Sequence, residues 1–103
     1  MSSGASPGDL QILTAALADP TRRLMMDRLR DTPGLTTGEL AALVPAHSRF
    51  AAMKHLRVLV RAGLVRAMDD GPRRRHYLEP AALAPLRAWL ERIGGSPRRP
   101  ATR

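Results

Sequence analysis

Two helix starts lie so close together that they restrict what this chain can build. Thr36-Thr37-Gly38-Glu39 reads as a capping box, in which a hydroxyl accepts an amide hydrogen and a carboxylate three residues on returns to the cap's own amide. The helix it opens must end before Pro45, which cannot continue it. Ser48 is placed to cap the next helix, from Arg49 to about Ala62, with Gly63 set to end it in the left-handed conformation. Only Pro45-Ala46-His47 and the cap lie between them. Two helices joined by so short a link form a helix-turn-helix.

Other helix signals surround this pair. Leu10, Leu13 and Leu17, flanked by Ile12 and Ala16, give Asp9–Ala18 an apolar stripe. Asp19-Pro20 marks a second start, a carboxylate cap before proline at the first helical position. That helix runs to about Arg30, and Thr32-Pro33-Gly34 breaks it. On a wheel of the fourth helix, Ala52, Leu56, Leu59 and Val60 gather on one face, opposite Phe50, Ala51, Lys54, Arg57, Val58 and Arg61. Leu64–Met68 alternates like a half-buried strand, Asp69-Asp70-Gly71-Pro72 reads as a turn, and Arg73–Leu78 returns as a hairpin partner. Pro80 opens a last helix to about Ile93, in which Pro85 either kinks the helix or marks its true first turn. The expected fold is mainly α with a small β-hairpin, in the order α-α-α-α-β-β-α over residues 9–93. Residues 1–8 and 94–103 hold too few apolar groups to offset their ordering entropy and are expected to be disordered.

Charge adds direction. The chain carries 17 Lys+Arg against 9 Asp+Glu, a net of +8. Residues 48–76 hold eight of the basic and two of the acidic groups, while residues 9–47 are close to neutral. Charge focused on one segment suits a polyanion. Lys54 is the only lysine, which fits the codon bias of a GC-rich genome, but such bias does not create an excess of basic residues. The tail arginines Arg98, Arg99 and Arg103 would add only non-specific attraction, or nothing. With no cysteine, disulfides and thiolate metal sites are excluded. No apolar stretch approaches the roughly 18 residues of a membrane span, and no signal peptide is evident, so a cytoplasmic setting without membrane contact is expected. Neither a Gly-rich phosphate loop nor HExxH occurs, which argues against an enzyme.

The order helix, helix, helix-turn-helix, hairpin, helix is that of a winged helix, with the fourth helix entering a major groove and the hairpin as wing. Several fragments resemble the ArsR, or arsenical-resistance repressor, family. They are Ala15-Ala16-Leu17-Ala18-Asp19-Pro20-Thr21-Arg22-Arg23, Gly38-Glu39-Leu40-Ala41, Lys54-His55-Leu56-Arg57-Val58-Leu59, Ala62-Gly63-Leu64-Val65, and His76-Tyr77-Leu78 followed by Pro80. Their joint order covers roughly residues 10–93. The stretch Ser48–Leu56 is most similar to a metal-independent branch often encoded beside lipid-binding-fold proteins. The resemblance implies a dimeric DNA-binding regulator, usually a repressor, with base-reading positions at Arg49, Phe50, Met53 and Lys54. Metal-sensing relatives carry a third-helix cysteine pair, which would fall on Thr36 and Gly38. Relatives with ligands on the last helix use Asp and His, where this chain has Glu91 and no histidine. His47, His55 and His76 do not sit at ligand spacings. No metal and no cofactor are expected.

Chemistry refines these assignments. Arg49 can make a bidentate contact with guanine. Phe50 and Met53 have two readings, thymine methyls or the core, and Met53 lies near the buried edge of the wheel. Lys54 and Arg57 suit phosphates, with the cap Ser48 beside them. Arg73, Arg74 and Arg75 suit phosphate or narrow minor-groove contact, carried by the strand because Asp69 and Asp70 oppose contact at the tip. A chain this short buries little core alone, and a homodimer would relieve that shortage. Its first and last helices would pair through Ile12, Leu13, Leu17, Leu86, Trp89, Leu90 and Ile93. The leading expectation is a homodimer on a short palindrome in double-stranded DNA, with any inducer unknown. The alternative is a winged-helix protein-interaction module without specific operator binding.

Overall fold

The structure, a computed structural model, describes residues 7–95. Helix α1 spans Pro7–Leu17, α2 Pro20–Asp31, α3 Thr37–Ala42, α4 Arg49–Arg61 and α5 Ala84–Gly94. Strands β1 (Leu35–Thr36), β2 (Val65–Asp70) and β3 (Arg73–Leu78) form an antiparallel sheet in the order β1-β3-β2. The expected disorder of the two termini, and the tail arginines, lie outside the described residues, except that Pro7 and Gly8 open α1 and Gly94 closes α5.

The caps form as their chemistry dictates. Asp19 Oδ2 accepts the Arg22 amide at 3.1 Å, with Pro20 in the first turn of α2. Thr36 and Glu39 complete the capping box on α3, at 3.1 and 2.9 Å. Ser48 Oγ accepts the Ala51 amide at 3.0 Å. Gly63 ends α4 at φ +79°, a region that costs a side chain about 1–2 kcal/mol. Pro85 marks the true first turn of α5, because Pro80–Leu83 forms a separate 3₁₀ turn ahead of it.

The core collects one side of each element: Leu13 and Ala16 of α1, Met25 and Leu29 of α2, Leu40 of α3, and Ala52, Leu56 and Leu59 of α4, closed by Leu64 and Val65. Two residues depart from expectation here. Leu13 is 3% exposed and belongs to this core, so it has no surface left for a seam between copies. Val60 is exposed, because the wing does not cover that edge of α4. Leu17 and Leu86 are half-buried against the core, whereas Ile12, Trp89, Leu90 and Ile93 stay exposed.

The sheet also differs from a bare hairpin. Leu35 pairs with His76 and Thr36 with Arg75, so a two-residue strand ties the wing to the start of α3. Asp69 and Asp70 lie in β2 and pair with Arg74 and Arg73, leaving Gly71-Pro72 as the whole loop. Gly71 has φ +61°. A two-residue loop with glycine first matches the type II′ turn, whose twist suits a hairpin.

Candidate nucleic-acid interface

Helix α4 divides cleanly. Ala52, Leu56 and Leu59 face the core, and Arg49, Phe50, Met53, Lys54 and Arg57 are exposed. Neither Phe50 nor Met53 packs in the core: Phe50 is 68% and Met53 38% exposed. The Lys54 ammonium lies 5.5 Å from the Phe50 ring centroid, one helical turn away. This contact holds an aromatic ring in solvent beside a cation. Among the described residues, Arg57 has no hydrogen-bond or ion-pair partner. The guanidinium of Arg49 lies over the first turn of α3, with Nη1 3.7 Å from where a Cβ on Gly38 would stand. Among the described residues no hydrogen bond holds it there, so it is free to swing outward. Ser48 spends one lone pair on its cap and keeps its proton at the exposed edge of the same turn.

The wing is less cationic than three consecutive arginines suggest. Arg74 Nη1 donates to Asp69 Oδ1 at 2.6 Å, and Arg75 Nε to Asp70 Oδ2 at 2.7 Å. Arg75 also donates to the Gly34 carbonyl at 2.9 Å and so fastens β3 to the loop before β1. Its hydrogen bond with Asp70 raises its affinity for the proton further, so it stays charged. Arg73 at the tip is exposed and, among the described residues, makes no ion pair. Glu39, at the near end of α3, has its carboxyl held below the usual range by the Thr36 amide, with Arg75 and Arg73 contributing from a distance.

A polar hub that the sequence did not signal fixes α4 from behind. Arg22 Nε donates to the Ala16 carbonyl at 2.7 Å and Nη2 to the Ala15 carbonyl at 3.1 Å. Arg23 reaches the Leu17 carbonyl at 2.7 Å. Together they satisfy the open C-terminal end of α1. Arg22 Nη1 also meets His55 Nδ1 at 3.1 Å. A guanidinium only donates, so Nδ1 accepts and the imidazole proton sits on Nε2. Asp19 Oδ2 stands 3.7 Å from the same Nδ1, and in that tautomer the two make no ion pair. Desolvation pushes the Asp19 carboxyl upward, but the Arg22 amide, with the Arg22 charge and the Thr21 amide, outweighs it and leaves the carboxyl below its ordinary value. The turn brings the His47 ring to within 5.6 Å of His55. Among the described residues no three of His, Cys, Asp or Glu gather as a metal site. Nor is any helix there long and apolar enough to cross a membrane.

Comparison with known proteins agrees with this geometry. The family described as a helix-turn-helix domain matches residues 17–66, from the end of α1 into β2. An HTH-type transcriptional regulator of Mycobacterium tuberculosis is 48% identical over 78 residues, covering 76% of this chain and 71% of the relative. The crystal structure of an ArsR family transcriptional regulator superposes with a TM-score of 0.79 at 32% identity, covering 86% of this chain and 90% of that one. An ArsR-like transcriptional regulator from Rhodococcus gives 0.72 at 34% identity, covering 84% and 80%. A helix-turn-helix flanked by a cationic wing, matched along nearly its whole length by these regulators, leaves one assignment: the chain belongs to the ArsR family of winged helix-turn-helix transcriptional regulators.

Proposed function

We propose that the chain is a homodimeric repressor that acts in the cytoplasm, binding a short palindromic operator and catalysing no reaction. Helix α4 reads bases with Arg49, Phe50 and Met53, while Ser48, Lys54 and Arg57 contact phosphates. Arg73 and Arg74 of the wing add phosphate or minor-groove contacts, and Arg75 contributes charge from its anchored position. The observation that carries this reading is the outer face of α4, where an exposed phenylalanine lies with cations that, among the described residues, have no ion-pair partner. The Lys54 contact covers only part of Phe50 and leaves the residue 68% exposed, and a thymine methyl gives the rest of the ring a partner. Ile12, Trp89, Leu90 and Ile93, exposed on α1 and α5, supply the seam of a two-fold dimer, against which Leu17 and Leu86 pack from beneath. In such a dimer the two α4 helices present themselves about one helical turn of DNA apart, or a multiple of it.

Selection of bound duplexes from a random pool defines the operator, and fluorescence anisotropy across a salt series tests the roles. Arg49→Ala costs about 1–3 kcal/mol on the selected operator, much less on scrambled DNA, and relaxes the preference at one base pair per half-site. Arg74→Ala weakens both duplexes alike and makes the log-affinity versus log-salt slope shallower by about one per phosphate lost, doubled in a dimer. An equal loss on both duplexes for Arg49→Ala would make it a phosphate contact. Equal affinity of the wild-type protein for all duplexes would favour the protein-interaction module instead.

A further inference from the structure

Between α4 and the wing lies a cavity of about 180 Å³. Its apolar wall is Met53, Leu56, Val60 and Ala67, and its polar groups include Arg57, Arg74 and His76. The space exists because β2 offers only the methyl of Ala67 toward this edge of α4, which leaves Val60 and Met53 partly exposed.

His76 gives the cavity chemical direction. The residue is 3% exposed and is the one buried polar residue among those described. Its Nδ1 lies 3.1 Å from the Leu35 carbonyl oxygen. A carbonyl only accepts, so Nδ1 carries the proton and Nε2 is left as an acceptor. No described residue donates to Nε2. A buried acceptor without a donor is costly and calls for one. Among the described residues, Arg57 of the same lining is a cation without a partner, and Arg74 of that lining is already paired with Asp69. An apolar cavity of about 150 Å³ takes one benzene ring, so this space suits a single ring that carries a donor for His76 and an anion for Arg57.

We propose that this cavity binds a one-ring organic anion bearing a hydroxyl donor, the hydroxyl meeting His76 Nε2 and the anionic group meeting Arg57, and that its occupation releases DNA. Release follows because the ligand takes Arg57 from the phosphate backbone and wedges α4 away from the wing. The release step rests on the proposed operator binding, but the binding step does not.

The test titrates the full chain with 3- and 4-hydroxybenzoate, following the Met53 and Ala67 methyl and His76 ring resonances. Saturable shifts are expected at all three residues for at least one isomer. Benzoate lacks the donor and phenol lacks the anion, so each binds at least about tenfold more weakly. Ala67→Leu fills the space and abolishes the shifts while leaving the thermal melt and DNA affinity in place. Ala67 contacts neither the proposed bases nor the phosphates, so that variant isolates the cavity. The inference is overturned if no isomer gives saturable shifts, which would leave His76 Nε2 to solvent alone. It is overturned equally if benzoate binds as well as its hydroxy analogues, or if Ala67→Leu leaves the shifts unchanged. Anisotropy on the operator then reads release: saturated ligand lowers DNA affinity at least about tenfold, and binding without that loss refutes the release step. Failure of the ligand-free protein to bind any DNA would refute the operator reading and leave the resonance test standing.

Discussion

Asp69→Asn isolates what the wing's acidic residues do. Arg74 is held by Asp69 at 2.6 Å, so part of its charge is spent within the wing. Asparagine keeps the shape of the side chain and removes the charge. Both partners are largely exposed, and such pairs contribute about 0–1 kcal/mol to stability, so the fold should barely change. The DNA effect is larger. Each phosphate neutralised by a cation steepens the log-affinity versus log-salt slope by about 0.9. If Arg74, released from Asp69, gains one phosphate beyond its wild-type contact in each half of a dimer, the slope steepens by about 1.8, and raising salt from about 50 to 200 mM costs the variant about twelvefold more affinity than the wild type. The assay is anisotropy of a labelled operator at four or more salt concentrations, with thermal melts to confirm the fold. An unchanged slope together with unchanged affinity would show that Asp69 does not limit Arg74, and would refute a wing whose cations are masked by its own carboxylates.

Three further outcomes follow from the same geometry. Trp89→Glu places a charge on the exposed α1/α5 face and should convert a dimer, seen by analytical ultracentrifugation at micromolar concentration, into monomers with weakened operator binding; a wild-type monomer at concentrations that bind DNA would refute the seam. Arg22→Ala removes three hydrogen bonds from the α1 end and His55, and should cost about 1–3 kcal/mol in denaturant unfolding; a loss indistinguishable from zero would show that water replaces the guanidinium fully. Burial and, more weakly, Arg74 hold the His76 imidazole below its ordinary pKa of 6.5, against the Leu35 carbonyl that favours its protonation. The unfolded chain therefore takes up this proton first, and stability falls as pH drops below about 6.5, with a slope of at most about 1.4 kcal/mol per unit until the folded state also protonates. A ring-proton titration with its midpoint at or above 6.5 would contradict this.

How much of the fold was legible depended on how local its cause was. Asp19, Thr36 and Ser48 cap helices through atoms within three residues, so their chemistry can be read directly from the chain. The II′ loop is as local, yet Asp69 and Asp70 read as part of the turn. Aspartate favours turns, but here the cross-strand pairs with Arg74 and Arg73 draw both into the ladder. Strand β1 has no local cause at all. Leu35 and Thr36 become a strand because β3 offers a free edge to a segment already positioned by the Gly34 bend and the α3 cap. Leu13 shows a related difficulty. Helical spacing puts it on a stripe with Leu10 and Leu17, but periodicity does not say whether the stripe meets the chain's own core or another copy.

The same division runs through the site. The exposed row on α4 was legible because core and solvent faces alternate at helical spacing, and the burial of Ala52, Leu56 and Leu59 leaves Arg49, Phe50, Lys54 and Arg57 outward by geometry alone. The state of the cations on the wing was not, since pairing depends on hairpin register, and a shift of one residue would have freed Arg74 from Asp69. The hub around Arg22 was least legible of all. One guanidinium joins the end of α1 to His55 in the middle of α4, 33 residues away in the chain. Its consequence is mechanical. In the proposed dimer, α1 contributes to the seam and α4 enters the groove, so a planar fork bonded to both fixes the distance between the two reading helices. Lysine cannot reproduce that fork, because a single ammonium presents its donors from one point and cannot span two carbonyls and an imidazole at once. In that proposed dimer, the residue that would hold the operator spacing lies behind the reading helix rather than on its outer face.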